Sequence, residues 1–219
     1  MSHQNKVFIA GMNTIVPQTY KCSEIADALY PETVATKPVN RLANKALAHA
    51  GITERPSVLA LDEFPNKVLA KDEYHPFNWG VKSIKGLTEE IGIDEIGYMA
   101  VSYNITSHSN ILPNLACQLS QGLEMDLDQM PDEIAHYGCA SGLFAMEKAV
   151  EYCRKSNRAA IVFTFDQCFW IANPVYDRAH ENFKASLRAA VLFSDGAVGT
   201  LIVPELSLIH ISEPTRLAE

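Results

Sequence analysis

The run His136-Tyr137-Gly138-Cys139-Ala140-Ser141-Gly142 sets a cysteine between glycines, after a short apolar segment and before a helical one. The order is strand, tight turn, cysteine, helix. It predicts a thiol at a helix N-terminus, where unpaired N–H groups and the helix dipole favour a thiolate. The same N–H groups can stabilise the oxyanion formed when a thiol attacks a thioester carbonyl. Gly138 and Gly142 let the backbone turn and pack closely. The chemistry these residue types support is nucleophilic acyl transfer through Cys139. A cysteine that only packs ahead of a helix has the same local features, so the run by itself leaves both readings open.

The hydrophobic pattern predicts the elements that must hold this cysteine. Residues 6–12 read as a buried strand, 23–30 as a short helix with Ser23 as its N-cap, and 39–49 as a helix ending before Gly51. Residues 54–78, rich in Pro, Asn and Asp, read as an irregular surface insertion. Val81, Ile84, Leu87 and Ile91 recur at helical spacing up to Gly92. A strand over 95–103 and a helix over 112–122 follow, with Leu115, Leu119 and Leu123 on one face. Residues 133–137 form a short strand. Residues 140–154 form a helix with Leu143, Met146, Val150 and Cys153 inward. Ala159–Phe165 reads as a buried parallel strand, 171–188 as a polar loop or short helix, and 197–203 as the last strand. Alternating strands and helices predict an α/β fold whose crossovers favour parallel pairing.

Composition narrows the function classes. The chain has 219 residues, 47% hydrophobic and 20% charged, with a net charge of −8. That acidity argues against nucleic acid or an anionic membrane as a partner. No N-terminal signal segment is evident, and no apolar run approaches the ~20 residues of a membrane-spanning helix. The five cysteines, Cys22, Cys117, Cys139, Cys153 and Cys168, form no C-x-x-C pair, so neither a zinc site nor a disulfide framework is expected. No cofactor is called for, and the expected compartment is the cytoplasm. Residues 205–219 continue no pattern and resemble the translation of a sequencing adapter; they are expected to be a non-native tail after a domain over 1–204.

Four segments carry a resemblance to a known family. Glu133–Asp166 resembles the nucleophile strand, helix and following strand of 3-oxoacyl-acyl-carrier-protein synthase III, an arrangement shared with chalcone-synthase-like type III polyketide synthases. Asn114–Leu119 resembles the preceding helix. Phe193-Ser194-Asp195-Gly196-Ala197-Val198-Gly199 resembles the family's F-G-D-G-A turn, with Ser194 in place of a glycine. Gly51-Ile52-Thr53-Glu54-Arg55 resembles its early G-I-x-x-R segment.

The resemblance implies the N-terminal half of a thiolase-like fold: α/β, with a mostly parallel five-stranded sheet and helices on both faces. It implies a homodimer that uses acyl and malonyl thioesters of coenzyme A or acyl carrier protein. Cys139 would take the acyl group. A decarboxylated malonyl unit would then attack it, assisted by a histidine and an asparagine or second histidine from the second half. Cys168, Phe169 and Trp170 would line the acyl cavity, although core or dimer packing explains these aromatics equally. Ile111 and Leu112 would lie on the interface loop that reaches the neighbouring active site, where a helix-start packing role is the alternative. Asp195 and Gly196 would serve a turn. His136, on a strand three residues before Cys139, would point away from it. Where coenzyme A users carry a tryptophan and an arginine, this chain has Lys45 and His49, which leaves a carrier-protein-bound donor open beside coenzyme A. The alternatives are a type III polyketide synthase, a non-decarboxylating acyltransferase, or a non-catalytic thiolase-fold partner subunit.

Overall fold

The computed structural model describes residues 6–33, 37–49, 51–109 and 112–205. Its centre is a sheet of five strands in the order β1-β7-β6-β4-β5. These are β1 (Val7–Ile15), β4 (Ile96–Tyr103), β5 (Asp132–Ala135), β6 (Ala159–Gln167) and β7 (Asp195–Pro204). A small ribbon of β2 (Thr19–Lys21) and β3 (Glu54–Pro56) lies apart from it.

Side chains alternate across each strand, and here both faces are covered. On one face Met99, Val101, Ile161, Phe163, Leu201 and Val203 join the main core with α3 (Pro76–Thr88) and α4 (Leu115–Gly122). On the other, Tyr98, Ala100, Ala160, Val162 and Ile202 meet Ala145, Ala149 and Cys153 of α5 (Ser141–Ser156). Two-sided burial explains why β4 and β6 read as nearly unbroken apolar runs. The remaining helices are α1 (Cys22–Leu29), α2 (Lys37–His49) and α6 (Phe183–Leu192).

The α/β order, the five strands and the helices on both faces match the expectation. Four of the five strands, β1, β4, β5 and β6, run in one direction, as expected, and β7 alone is reversed. β4 pairs in parallel with β5 and β6, while β7 runs antiparallel to both β6 and β1. The connection from β6 to β7 passes through α6 and returns at the end of the sheet where β6 finished, which reverses the chain direction. β1 is not buried: as an edge strand it leaves Phe8, Ile9 and Met12 exposed.

Other local expectations shift for identifiable reasons. The N-cap of α1 is Lys21, not Ser23; its backbone N–H donates to Glu24 Oε2 at 2.8 Å. α4 starts at Leu115 because Asn114 Oδ1 accepts the Cys117 N–H at 2.9 Å and caps it. The segment read as a surface insertion carries little regular structure, yet Arg55, Val58, Leu59 and Tyr74 are buried in it. It is part of the core. The inward stripe of α5 is Ser141, Ala145, Ala149 and Cys153, while Leu143 is 69% exposed. Small residues allow α5 to sit close to the sheet: a Cβ on Gly142 would lie 3.3 Å from the Thr164 side chain of β6.

Candidate active site

Cys139 sits in a 3-10 turn, Gly138–Ala140, between the end of β5 and the first residue of α5. Its thiol is exposed. The sequence produces this turn with two backbone reversals: His136 at φ 66° and Gly138 at φ 62°. Gly138 adopts the left-handed region without strain, whereas His136 does so at a cost. His136 therefore lies past the strand, which ends at Ala135, and the strand argument about its direction does not apply. Its N–H donates to the Tyr103 carbonyl at 3.0 Å and its ring packs edge-on against Tyr103.

The ends of β4 and β6 meet the turn. Asn104 Nδ2 donates to the Gly138 carbonyl at 3.0 Å and to Asp166 Oδ2 at 3.1 Å. Asp166 Oδ1 accepts the N–H groups of Asn104 and Ile105, both at 2.8 Å. Ser141 Oγ accepts the Tyr137 N–H at 3.2 Å, and its one hydrogen faces the Gly138 carbonyl at 2.9 Å and Asn104 Oδ1 at 3.1 Å. Gln167 is fully buried and holds the following loop: Oε1 accepts the Ser107 N–H at 2.7 Å and Nε2 donates to the Tyr74 carbonyl at 2.8 Å. None of Asn104, Ser141 or Gln167 stood out in the sequence. Each is an ordinary polar residue with at least one partner 34 to 93 residues away.

The thiols differ in environment. Cys168 opens a 3-10 turn, Cys168–Ile171, directly after β6. Burial, then the carboxylates of Asp166 and Asp195 and the nearby Cys139, push its thiol up to about 12. It stays protonated near neutral pH, so it does not compete as a nucleophile. Burial likewise lifts Cys153 to about 12, with its Sγ 3.5 Å from the Ile202 carbonyl. Cys22 is buried and Cys117 half-buried.

The remaining expected site residues are scattered in character. Phe169 is buried in the main core, and Trp170 packs against that core. Leu112 is 82% exposed, and Ile111 lies outside the described residues. Asp195 is a buried latch: Oδ2 accepts the Val58 N–H at 2.8 Å and Oδ1 the Phe169 N–H at 2.9 Å. Two histidines meet at the loop after β4, with His108 Nδ1 3.3 Å from His75 Nε2. Burial, and then His108, hold the His75 pKa below the ordinary histidine value.

No protein-family model and no curated protein matches the chain. Solved structures do. The type III polyketide synthase germicidin synthase from Streptomyces coelicolor superposes with a TM-score of 0.68 at 16% identity, over 90% of this chain and 59% of that one. A variant of OleA from Xanthomonas campestris gives 0.68 at 19%, over 94% and 58%. A 3-oxoacyl-(acyl-carrier-protein) synthase III gives 0.63 at 20%, over 91% and 50%. This chain has the thiolase-like fold of the condensing enzymes. The thiolase-like match spans about half to three fifths of the length of these neighbours. Among the described residues no helix is long and apolar enough to cross a membrane.

Proposed function

We propose that this chain is the nucleophile-bearing N-terminal half, over 1–204, of a condensing acyltransferase of the synthase III type, with 205–219 a non-native tail. The observation that carries the reading is Cys139 itself: an exposed thiol on a braced turn at the start of a 16-residue helix. A thiolate there gains from the positive end of α5. It attacks the carbonyl of an acyl thioester, and the bond from that carbonyl to the donor sulfur breaks, releasing the donor thiol. The acyl group then rests on Cys139 as a thioester. Loss of carbon dioxide from a malonyl thioester leaves an enolate that attacks the acyl carbonyl, forming the new carbon–carbon bond and freeing Cys139.

The proton-handling side chains for the second step belong to the remainder of the longer enzyme. Cys168, Phe169 and Trp170 would border the acyl group, and the exposed Leu112 would reach a second subunit of a cytoplasmic homodimer. The donor would be a thioester of acyl carrier protein or coenzyme A.

A type III polyketide synthase is the second reading. Germicidin synthase and the synthase III structure share the fold with this chain to a similar degree, so both activities fit it. An inactive partner subunit is disfavoured by the exposed cysteine.

The test is product analysis with the 219-residue chain, acyl thioesters and malonyl thioester. The expected result is acylated protein without any 3-oxoacyl or polyketide product. Ketide formation by this chain alone would overturn the division of labour between halves.

A further inference from the structure

Asn104 follows the last residue of β4 and uses every polar atom of its side chain at the cysteine turn. Its two Nδ2 hydrogens go to the Gly138 carbonyl and Asp166 Oδ2, and its Oδ1 faces the Ser141 hydroxyl. Asp166 is itself locked to the backbone of Asn104 and Ile105 through its other oxygen. The grips fall at residues 137, 138 and 141. Cys139 and Ala140 span the gap between them. His136 holds left-handed backbone just before the first grip, a conformation that persists only where surrounding contacts over-determine it. No other side-chain amide bonds this turn among the described residues.

We propose that Asn104 is a positioning residue: by tying Gly138 and Ser141 to the ends of β4 and β6, it fixes the direction in which Cys139 presents its thiol. The inference rests on the reading of Cys139 as the acyl acceptor. Asn104 does not touch the reacting atoms. It acts on the angle of attack, and misplacement on the scale of an ångström has large effects on rate. Asn104→Ala removes both donors. Asn104→Asp removes them and sets a carboxylate against that of Asp166, so it is the more severe change.

The experiment compares the 219-residue chain with its N104A and N104D variants. Three quantities are read at Cys139: alkylation by iodoacetamide, acylation by an acyl thioester, and amide hydrogen exchange over 136–142. Alkylation needs only an exposed thiol and is expected to stay within about twofold, whereas acylation needs direction and is expected to fall roughly tenfold or more. Exchange over 136–142 is expected to rise, most in N104D. Unchanged exchange, or acylation falling no more than alkylation, overturns the proposal. Should the unsubstituted chain accept no acyl group while N104A loosens the turn, the brace stands and the acyl-acceptor reading falls. Should N104A fail to fold, Ser141→Ala carries the same test, since it removes the grips at 137 and 141 and leaves Asn104 on Gly138 and Asp166. It is expected to slow acylation in the same direction by a smaller factor, and an unaltered rate would count against the brace.

Discussion

Asp195 Oδ2 accepts the backbone N–H of Val58 at 2.8 Å, joining two points 137 residues apart in the chain. Its other oxygen accepts the Phe169 N–H, so one carboxylate ties the segment after β3 to the turn that begins with Cys168. Asp195→Ala leaves two buried N–H groups without acceptors. At about 1–3 kcal/mol for each, the loss is roughly 2–6 kcal/mol, a large share of a domain's stability. Urea denaturation followed by circular dichroism measures it. A midpoint equal to that of the unsubstituted chain would contradict the latch.

The same carboxyl gives a pH dependence with a definite sign. Burial raises its pKa from 3.8 to about 6, outweighing the hydrogen bonds from Phe169, Val58 and Ser57 that act the other way. The folded state therefore holds this proton more tightly than the unfolded chain. The contribution is complete below pH 4 and is lost as pH rises through 6. At about 1.4 kcal/mol per pH unit that window is worth about 3 kcal/mol. Asp195→Asn lacks the titration, so the stability difference between the two chains should move by that order between pH 4 and pH 7. A constant difference would refute the assignment.

Gly142 faces Thr164 at the start of α5, where an added Cβ would lie 3.3 Å from Thr164 Cγ2 and Oγ1. Gly142→Val puts two further carbons into that contact and forces α5 away from β6. Overpacking of this kind costs about 1–3 kcal/mol. It also moves the turn that carries Cys139, so acylation of Cys139 should slow along with the loss of stability. A G142V chain as stable as the original would show that α5 is not closely seated here.

Tyr137, Leu143 and Phe144 form an exposed apolar group beside Cys139, with the rings of Tyr137 and Phe144 5.4 Å apart. On the proposed reading the rest of the enzyme covers this face. In the chain alone it is an aggregation surface. Leu143→Lys should lower light scattering at a given concentration and leave the circular dichroism spectrum unaltered. Equal scattering from both chains would mean that this face is not adhesive.

The sequence shows the order of elements and the placement of Cys139 well, because helix and strand periodicities are local. Direction and depth are less visible. Ala197–Val203 reads as a strand from its apolar run, but an apolar run carries no direction, and β7 proves antiparallel to both neighbours. In α5 the large residues Leu143, Met146 and Val150 suggested the inward face. Cys153 is buried as expected and Met146 and Val150 pack at the edge of that core, but Leu143 is exposed, and Ser141, Ala145 and Ala149 complete the buried stripe because small side chains let the helix approach the sheet. Asn104, Asp166 and Ser141 converge from three separate elements, so no local pattern could reveal them. The burial of Arg55, Val58 and Leu59 was hidden by the Pro- and Asp-rich segment that follows them.

Acylation mapping tests the central claim most directly. The 219-residue chain is incubated with an acyl thioester, quenched at short times, digested, and each of its five cysteines scored by mass. Cys139 should carry the acyl group first and in excess. Cys168, half-buried and held protonated, should lag far behind it. Label appearing first on Cys168 or Cys117, or on no cysteine at all, would contradict the assignment of Cys139 as the acyl acceptor.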